Sequence, residues 1–334
     1  MTYEQILSSL KKKEYSPIYL LAGEEPFFID LICDYITENV LSETDKAFNQ
    51  TILYGQKDMN ILSVIDAARR FPMMAEKQVV VFKEAQIADY EKLAPYAVTP
   101  QPSTILVICV KYKKPDKRTA LYKAVSKNGV VFESAKIPDY KMPEWIAGHV
   151  KSQGLDISAE GTIMLSEFLG NDLIRVVSEV DKLKLTLPEG QDKITPSHIE
   201  RNTGYSKEFN YFELQKAIIS NDPLKAQRIV LYFEHNPKSG SLFGTIAILF
   251  SFFTKVFAWH FLQDKSQAAV ASALKCSPYA VKDIEKAAKR FPPKKISAIF
   301  SILRTYDAMA KGLTGTLIAS PEELLKEMVF RIMH

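Results

Sequence analysis

The segment Leu21-Ala22-Gly23-Glu24-Glu25-Pro26 closes an apolar run and leads into a helical pattern, the place where a P-loop would cradle phosphates. That chemistry needs further glycines for close backbone approach, a Lys on the β and γ phosphates, and a hydroxyl on magnesium. After Gly23 come Glu24, Glu25, Pro26, Phe27, Phe28, Ile29 and Asp30, with no second Gly, no Lys and no Ser or Thr. Pro26 removes a backbone donor, and two carboxylates repel an anion. The loop Gly23, Glu24, Glu25, Pro26 therefore reads as a degenerate nucleotide site, with no cofactor expected. The histidines at 149, 198, 235, 260 and 334 are never three or four apart, so no helix face pairs them for zinc. Cys33, Cys109 and Cys276 are too few and too scattered for a disulfide framework or a thiolate metal set. No Gly-x-Ser-x-Gly elbow or Cys-His signature occurs, so neither a catalytic residue nor a metal is assigned.

Two other groups suit recognition. Phe71-Pro72-Met73-Met74 follows a helical pattern that Pro72 must stop. From residue type alone, apolar side chains between a helix and a strand read as core; methionine is also the adaptable apolar residue of recognition surfaces. Lys282, Lys286 and Lys289 recur at helical spacing, with Arg290 next and Lys294 and Lys295 beyond. Such a stripe reads either as a DNA-facing surface or as the solvated face of a helix whose other side is Val281, Ile284 and Ala288. The run Lys111 to Arg118 reads as a polar loop after a strand.

The elements behind these residues are legible in outline. Ile18 to Ala22, Thr51 to Tyr54, Gln78 to Phe82, Thr104 to Val110 and Gly129 to Glu133 read as strands, three of them almost wholly apolar, as strands covered on both faces are. Phe27 to Leu41, Asn60 to Arg70 and Arg118 to Lys127 carry apolar residues at helical spacing between them. The alternation predicts a doubly wound parallel α/β domain. Beyond Pro138 strand signals cease. Pro143, Ser158 and Asn171-Asp172 mark helix starts of a small helical domain. Gly204 and the polar stretch to Lys207 lead into a long all-helical region with caps at Asp222, Ser277 and Ser320. The expected domains are 1–139, 140–208 and 209–334.

The chain has 334 residues, enough for two or three domains at ~100 to 200 residues each. Its 47% hydrophobic and 25% charged residues exclude disordered and fibrous classes. The formal charge of +4 is unevenly placed. From Tyr211 onward there are 17 basic and 10 acidic side chains, against 26 and 29 before it, so a partner wanting positive charge meets the last third. The start lacks the basic and apolar segments of a secretory signal. The apolar stretch Ser241 to Leu262 carries Thr245, Ser251, Thr254, Lys255 and His260, which suit a core helix and not a membrane span. A cytoplasmic setting without a membrane partner is expected.

The chain resembles the delta subunits of bacterial DNA polymerase III clamp loaders. The likeness lies in Ile18-Tyr19-Leu20-Leu21-Ala22-Gly23-Glu24-Glu25, in Ala67-Ala68-Arg69-Arg70-Phe71-Pro72-Met73-Met74 and in Lys77-Gln78-Val79-Val80-Val81. It continues through Asn171-Asp172-Leu173 with Glu179, Lys182 and Leu183, and through Asn210-Tyr211-Phe212-Glu213-Leu214 with Ala217-Ile218. The order and spacing of these segments carry it, since none is specific alone. The resemblance implies an AAA+ type α/β domain with a degenerate nucleotide site, a small helical lid domain and a helical collar domain. It implies a non-catalytic subunit of a DNA-directed DNA polymerase holoenzyme that binds the ring-shaped sliding clamp (beta) and favours its open form. The implied partners are that clamp, the gamma/tau and delta prime subunits of the loader, and primed DNA within the complex, not a second copy of the chain. The implied clamp-binding residues are Met73 and Met74 with Phe71 and Pro72, and a collar loop near Lys311 to Gly315 would lie close to DNA. An active P-loop ATPase and a free-standing DNA-binding protein are the alternatives, separated by nucleotide binding and by salt-sensitive DNA affinity of the isolated chain.

Overall fold

The computed structural model describes residues 1–206, 208–236, 239–276, 278–313 and 319–334. Lys207, the cap at Ser277, and Thr314 and Gly315 of the collar loop lie outside the described residues. The chain divides into two compact units, Met1–Ile137 and Pro138–His334.

In the first unit, α1 (Tyr3–Lys11) precedes β1 (Ile18–Gly23) and α2 (Pro26–Asn39). Next come α3 (Glu43–Asn49), β2 (Gln50–Tyr54), α4 (Leu62–Arg69) and β3 (Gln78–Lys83). The unit closes with α5 (Ala94–Val98), β4 (Thr104–Lys111), α6 (Ala120–Asn128) and β5 (Val130–Ser134). All five expected strands form one parallel sheet in the order β2-β3-β4-β1-β5. The three continuous apolar runs are the central strands β1, β3 and β4, buried on both faces. One face, with Leu20, Ala22, Val80, Phe82, Leu106 and Ile108, packs on Val64 and Ala68 of α4 and on Leu121 and Val125 of α6. Helix α2 meets β1, β3 and β4 and buries Ile29, Ile32, Cys33 and Ile36. The helix expected from Asn60 to Arg70 is shorter at both ends: it opens at Leu62, and it closes at Arg69 because Arg70 is already extended ahead of the Phe71-Pro72 pair.

The second unit begins with α7 (Met142–Ser152), β6 (Asp156–Ile157), α8 (Ala159–Leu169), α9 (Leu173–Leu185), β7 (Lys193–Ile194) and α10 (Pro196–Thr203). Strands do recur beyond Pro138: β6 and β7 pair in parallel, each two residues long and so too short to show a period. Ser158 caps α8 as expected, and α9 is capped by Asp172, one residue after Asn171. The helices α11 (Tyr211–Ser220), α12 (Pro223–His235), α13 (Leu242–His260), α14 (Gln267–Ala273), α15 (Pro278–Arg290), α16 (Pro293–Ala310) and α17 (Pro321–Met333) follow. Asp222 caps α12, and Ser320 forms a capping box with Glu323 on α17. Buried side chains from Leu214 to Met333 form one apolar core among these seven helices. Helix α13 is long and apolar enough to cross a membrane by length and composition; a third of its apolar window is buried in the unit.

Candidate functional site

The residues after β1 close the nucleotide position with groups of the chain itself. Gly23 has φ +153°, and a Cβ there would lie 2.0 Å from Ser134 O, so only glycine permits this approach. The amides of Glu24 and Glu25 both donate to Ser134 O, at 2.8 and 3.3 Å. The Ser134 hydroxyl in turn donates to Glu25 O at 2.6 Å. Pro26 has no N–H, and Phe27 N–H donates to the buried Glu25 carboxylate at 3.1 Å. Every backbone donor from 24 to 27 is thus engaged or missing, and the positive end of α2 holds an internal anion where a phosphate would sit. This arrangement disfavours the P-loop ATPase alternative.

The cations nearby are also used internally. Lys111 pairs with Asp30 at 2.9 Å and Glu84 at 3.3 Å, Lys114 with Glu24 at 3.4 Å and Lys117 with Glu133 at 3.2 Å. Arg118 hydrogen-bonds Asp116 and holds that carboxyl down at about 2. The run from Lys111 to Arg118 is a polar loop knitted to its own domain.

Phe71, Met73 and Met74 are not core. Their relative exposures are 77, 62 and 105%, which overturns the reading that residue type alone gave. The end of α4 that delivers them is fixed by groups far away in sequence. Gln78 Nε2 donates to Arg70 O at 2.5 Å and to Thr104 Oγ1 at 2.7 Å. The Thr104 hydroxyl donates to Ala68 O at 2.8 Å, and Tyr96 Oη reaches the same carbonyl at 3.3 Å. The last carbonyls of a helix have no partner within it, and here three side chains from β3, β4 and α5 supply them. On the far side, Asn49 at the end of α3 accepts from Met73 N–H at 2.6 Å and donates to Met73 O at 3.0 Å. The result is an apolar knuckle with a held backbone and bare side chains. Exposed Arg69 and Arg70 lie beside it in the chain. Gln78, Thr104 and Asn49 escaped the sequence reading because their partners are 8 to 36 residues distant.

The basic stripe on α15 divides in two. Lys282, Lys286 and Lys289 are exposed, opposite the buried Val281, Ile284 and Ala288. Lys286 Nζ donates to Ser220 Oγ at 2.9 Å, and Arg290 donates to Asn221 Oδ1 and, at 3.5 Å, to Met333 O. These two side chains tie α15 to the C-terminal end of α11. Lys282 and Lys289 have no hydrogen bond or ion pair with a described residue. Among the described residues no group of His, Cys, Asp or Glu is arranged to hold a metal ion.

Residues 19–135 match the family model described as DNA polymerase III, delta subunit. A DNA polymerase III subunit delta from Bacillus subtilis (strain 168) is 26% identical over 316 residues, 90% of each chain. Among solved structures, the Bacillus subtilis DNA clamp loader delta protein has a TM-score of 0.65 at 22% identity and covers 99% of both chains, a likeness of fold.

Proposed function

We propose that this chain, which belongs to the family of DNA polymerase III delta subunits, grips the sliding clamp through Phe71, Pro72, Met73 and Met74. By favouring the clamp's open form it lets the loader place the ring on primed DNA during replication. The observation that carries this reading is the knuckle: three large apolar side chains stand in solvent on a backbone held at both ends. Large apolar groups are exposed together mainly where a partner covers them, and Met, Phe and Arg are enriched at such contacts. Burying the two methionines in a pocket on the clamp contributes roughly 3 to 6 kcal/mol. A ligand shifts a two-state equilibrium only by its differential affinity, so the knuckle must fit the opened ring better than the closed one.

The subunit is non-catalytic in this reading, and ATP acts on the gamma/tau subunits, whose action exposes or hides the knuckle. The second unit serves as a lid domain, 140–208, and a collar domain, 209–334, that joins the gamma/tau and delta prime subunits. The support for that cut is that the core from Leu214 to Met333 draws on no described residue before Phe209. The work is cytoplasmic, where primed DNA is met. The test is binding to immobilised sliding clamp: Met73→Ser with Met74→Ser abolishes tight binding while the chain stays folded. Unchanged affinity in a folded double mutant sinks the assignment.

A further inference from the structure

The segment from Phe71 to Lys77, between α4 and β3, has no regular backbone pairing. Among the described residues, the only hydrogen bonds made by its backbone are the two to Asn49. They fall on Met73, the third of its seven residues. The next residue, Met74, has φ 55°, in the left-handed region that a methionine seldom adopts, so the local backbone does not favour this shape unaided. Asn49 is 3% exposed and engages Met73 through both ends of its amide. If Met73 moved away, a buried donor and a buried acceptor would both lose their partner. Loop and amide therefore fix each other.

We propose that Asn49 is the positioning residue of the clamp contact: it holds Met73 and Met74 in the conformation that enters the clamp, without itself touching the clamp. This rests on the clamp-docking reading. The physical effect is pre-organisation. A ligand that binds only one loop conformation has its apparent dissociation constant raised by the inverse of that conformation's population. Freeing the loop so that the competent form falls to about a tenth weakens binding about tenfold, with every contacting side chain still present.

The experiment uses the full chain and purified sliding clamp, at a temperature where each variant is folded. Residue-resolved amide exchange on the unmodified protein comes first. Met73 N–H is expected to be protected relative to Met74 and Ala75, and equal exchange at the three positions overturns the proposal. Asn49→Ala is expected to erase that protection and weaken clamp binding about tenfold. A purely structural Asn49 would lower the melting temperature and leave the affinity of the folded protein unchanged, which also overturns it. Should Asn49→Ala not fold, Asn49→Leu carries the same comparison, since it fills a similar volume and removes both hydrogen bonds to Met73. Met73→Ser with Met74→Ser separates the two ideas. If that pair leaves clamp binding intact, the docking reading fails; if it abolishes binding while Asn49→Ala does nothing, only the positioning role fails.

Discussion

Glu25 Oε1 accepts the amide of Phe27 at 3.1 Å, so the first turn of α2 is closed by a carboxylate of the same chain. With the amides of Glu24 and Glu25 turned onto Ser134 O and no N–H on Pro26, the stretch from 24 to 27 turns its donors onto its own domain and not toward a triphosphate.

The first expected outcome concerns nucleotide. Titration with a fluorescent ATP analogue and magnesium gives no saturable binding at micromolar concentration. Glu25→Ala does not create a site, because the Ser134 contacts and Pro26 remain; it removes a cap and lowers stability by about 1 kcal/mol. Saturable micromolar binding by either protein contradicts the account.

A second outcome divides the α15 stripe. Lys282→Glu with Lys289→Glu weakens DNA binding by the assembled loader and flattens its salt dependence, by about 0.9 in slope for each phosphate that is no longer neutralised. The stability cost is small, up to about 1 kcal/mol from reversing Lys289 in the last turn of α15, because neither lysine has a hydrogen bond or ion pair with a described residue. Lys286→Ala and Arg290→Ala act differently, losing hydrogen bonds to Ser220 and Asn221 and lowering stability by about 0.5 to 1.5 kcal/mol each. If the first pair leaves DNA binding and its salt slope unchanged, those lysines form a solvated face only.

That division marks what the sequence could and could not convey. The five strands were legible because β-branched runs carry their own signal, and the end of α4 because Pro72 cannot continue a helix. The missing Lys and hydroxyl after Gly23 were legible because residue types are read directly; that Ser134 O takes both amides that follow was not. The grip of Asn49 on Met73 was not, since nothing local distinguishes an asparagine that ends a helix from one that reaches a loop 24 residues on. Nor was the docking of Lys286 and Arg290 on α11, because helical spacing reports a face and not what lies opposite it. The exposure of Met73 and Met74 in the free chain was not legible: their types alone pointed to the core, and the family likeness implied a binding role without fixing their exposure.

A third outcome concerns pH. Burial raises the Glu167 carboxyl of α8 to about 7, Lys216 opposes this, and Glu213 adds to it. A carboxyl raised on folding contributes stability that is complete below its unfolded value near 4.5 and is lost as pH climbs through about 7. Glu167→Gln removes that titration. At pH 8 the variant should be more stable than the parent by about 1 to 2 kcal/mol, a discounted figure because the side chain is only partly shielded from water. At pH 4.5 the two should match. Denaturant melts at both pH values check this, and a constant difference across the range would show that the carboxyl does not titrate there.

The last outcome separates the knuckle from the framework that carries it. Met73→Ser with Met74→Ser exchanges side chains already in water, so the melting temperature should move by no more than about 2 °C. Gln78→Leu does the reverse. The buried Gln78 amide donates to Arg70 O at the end of α4 and to Thr104 Oγ1 on β4, and its loss deprives both of that donor. The cost is about 1 to 3 kcal/mol, or roughly 3 to 10 °C in melting temperature. Scanning both variants beside the parent gives opposite patterns: the serine pair loses clamp binding and keeps its fold, whereas the leucine variant loses stability. A serine pair that melts many degrees early would instead place the methionines in the core and leave the clamp without its contact.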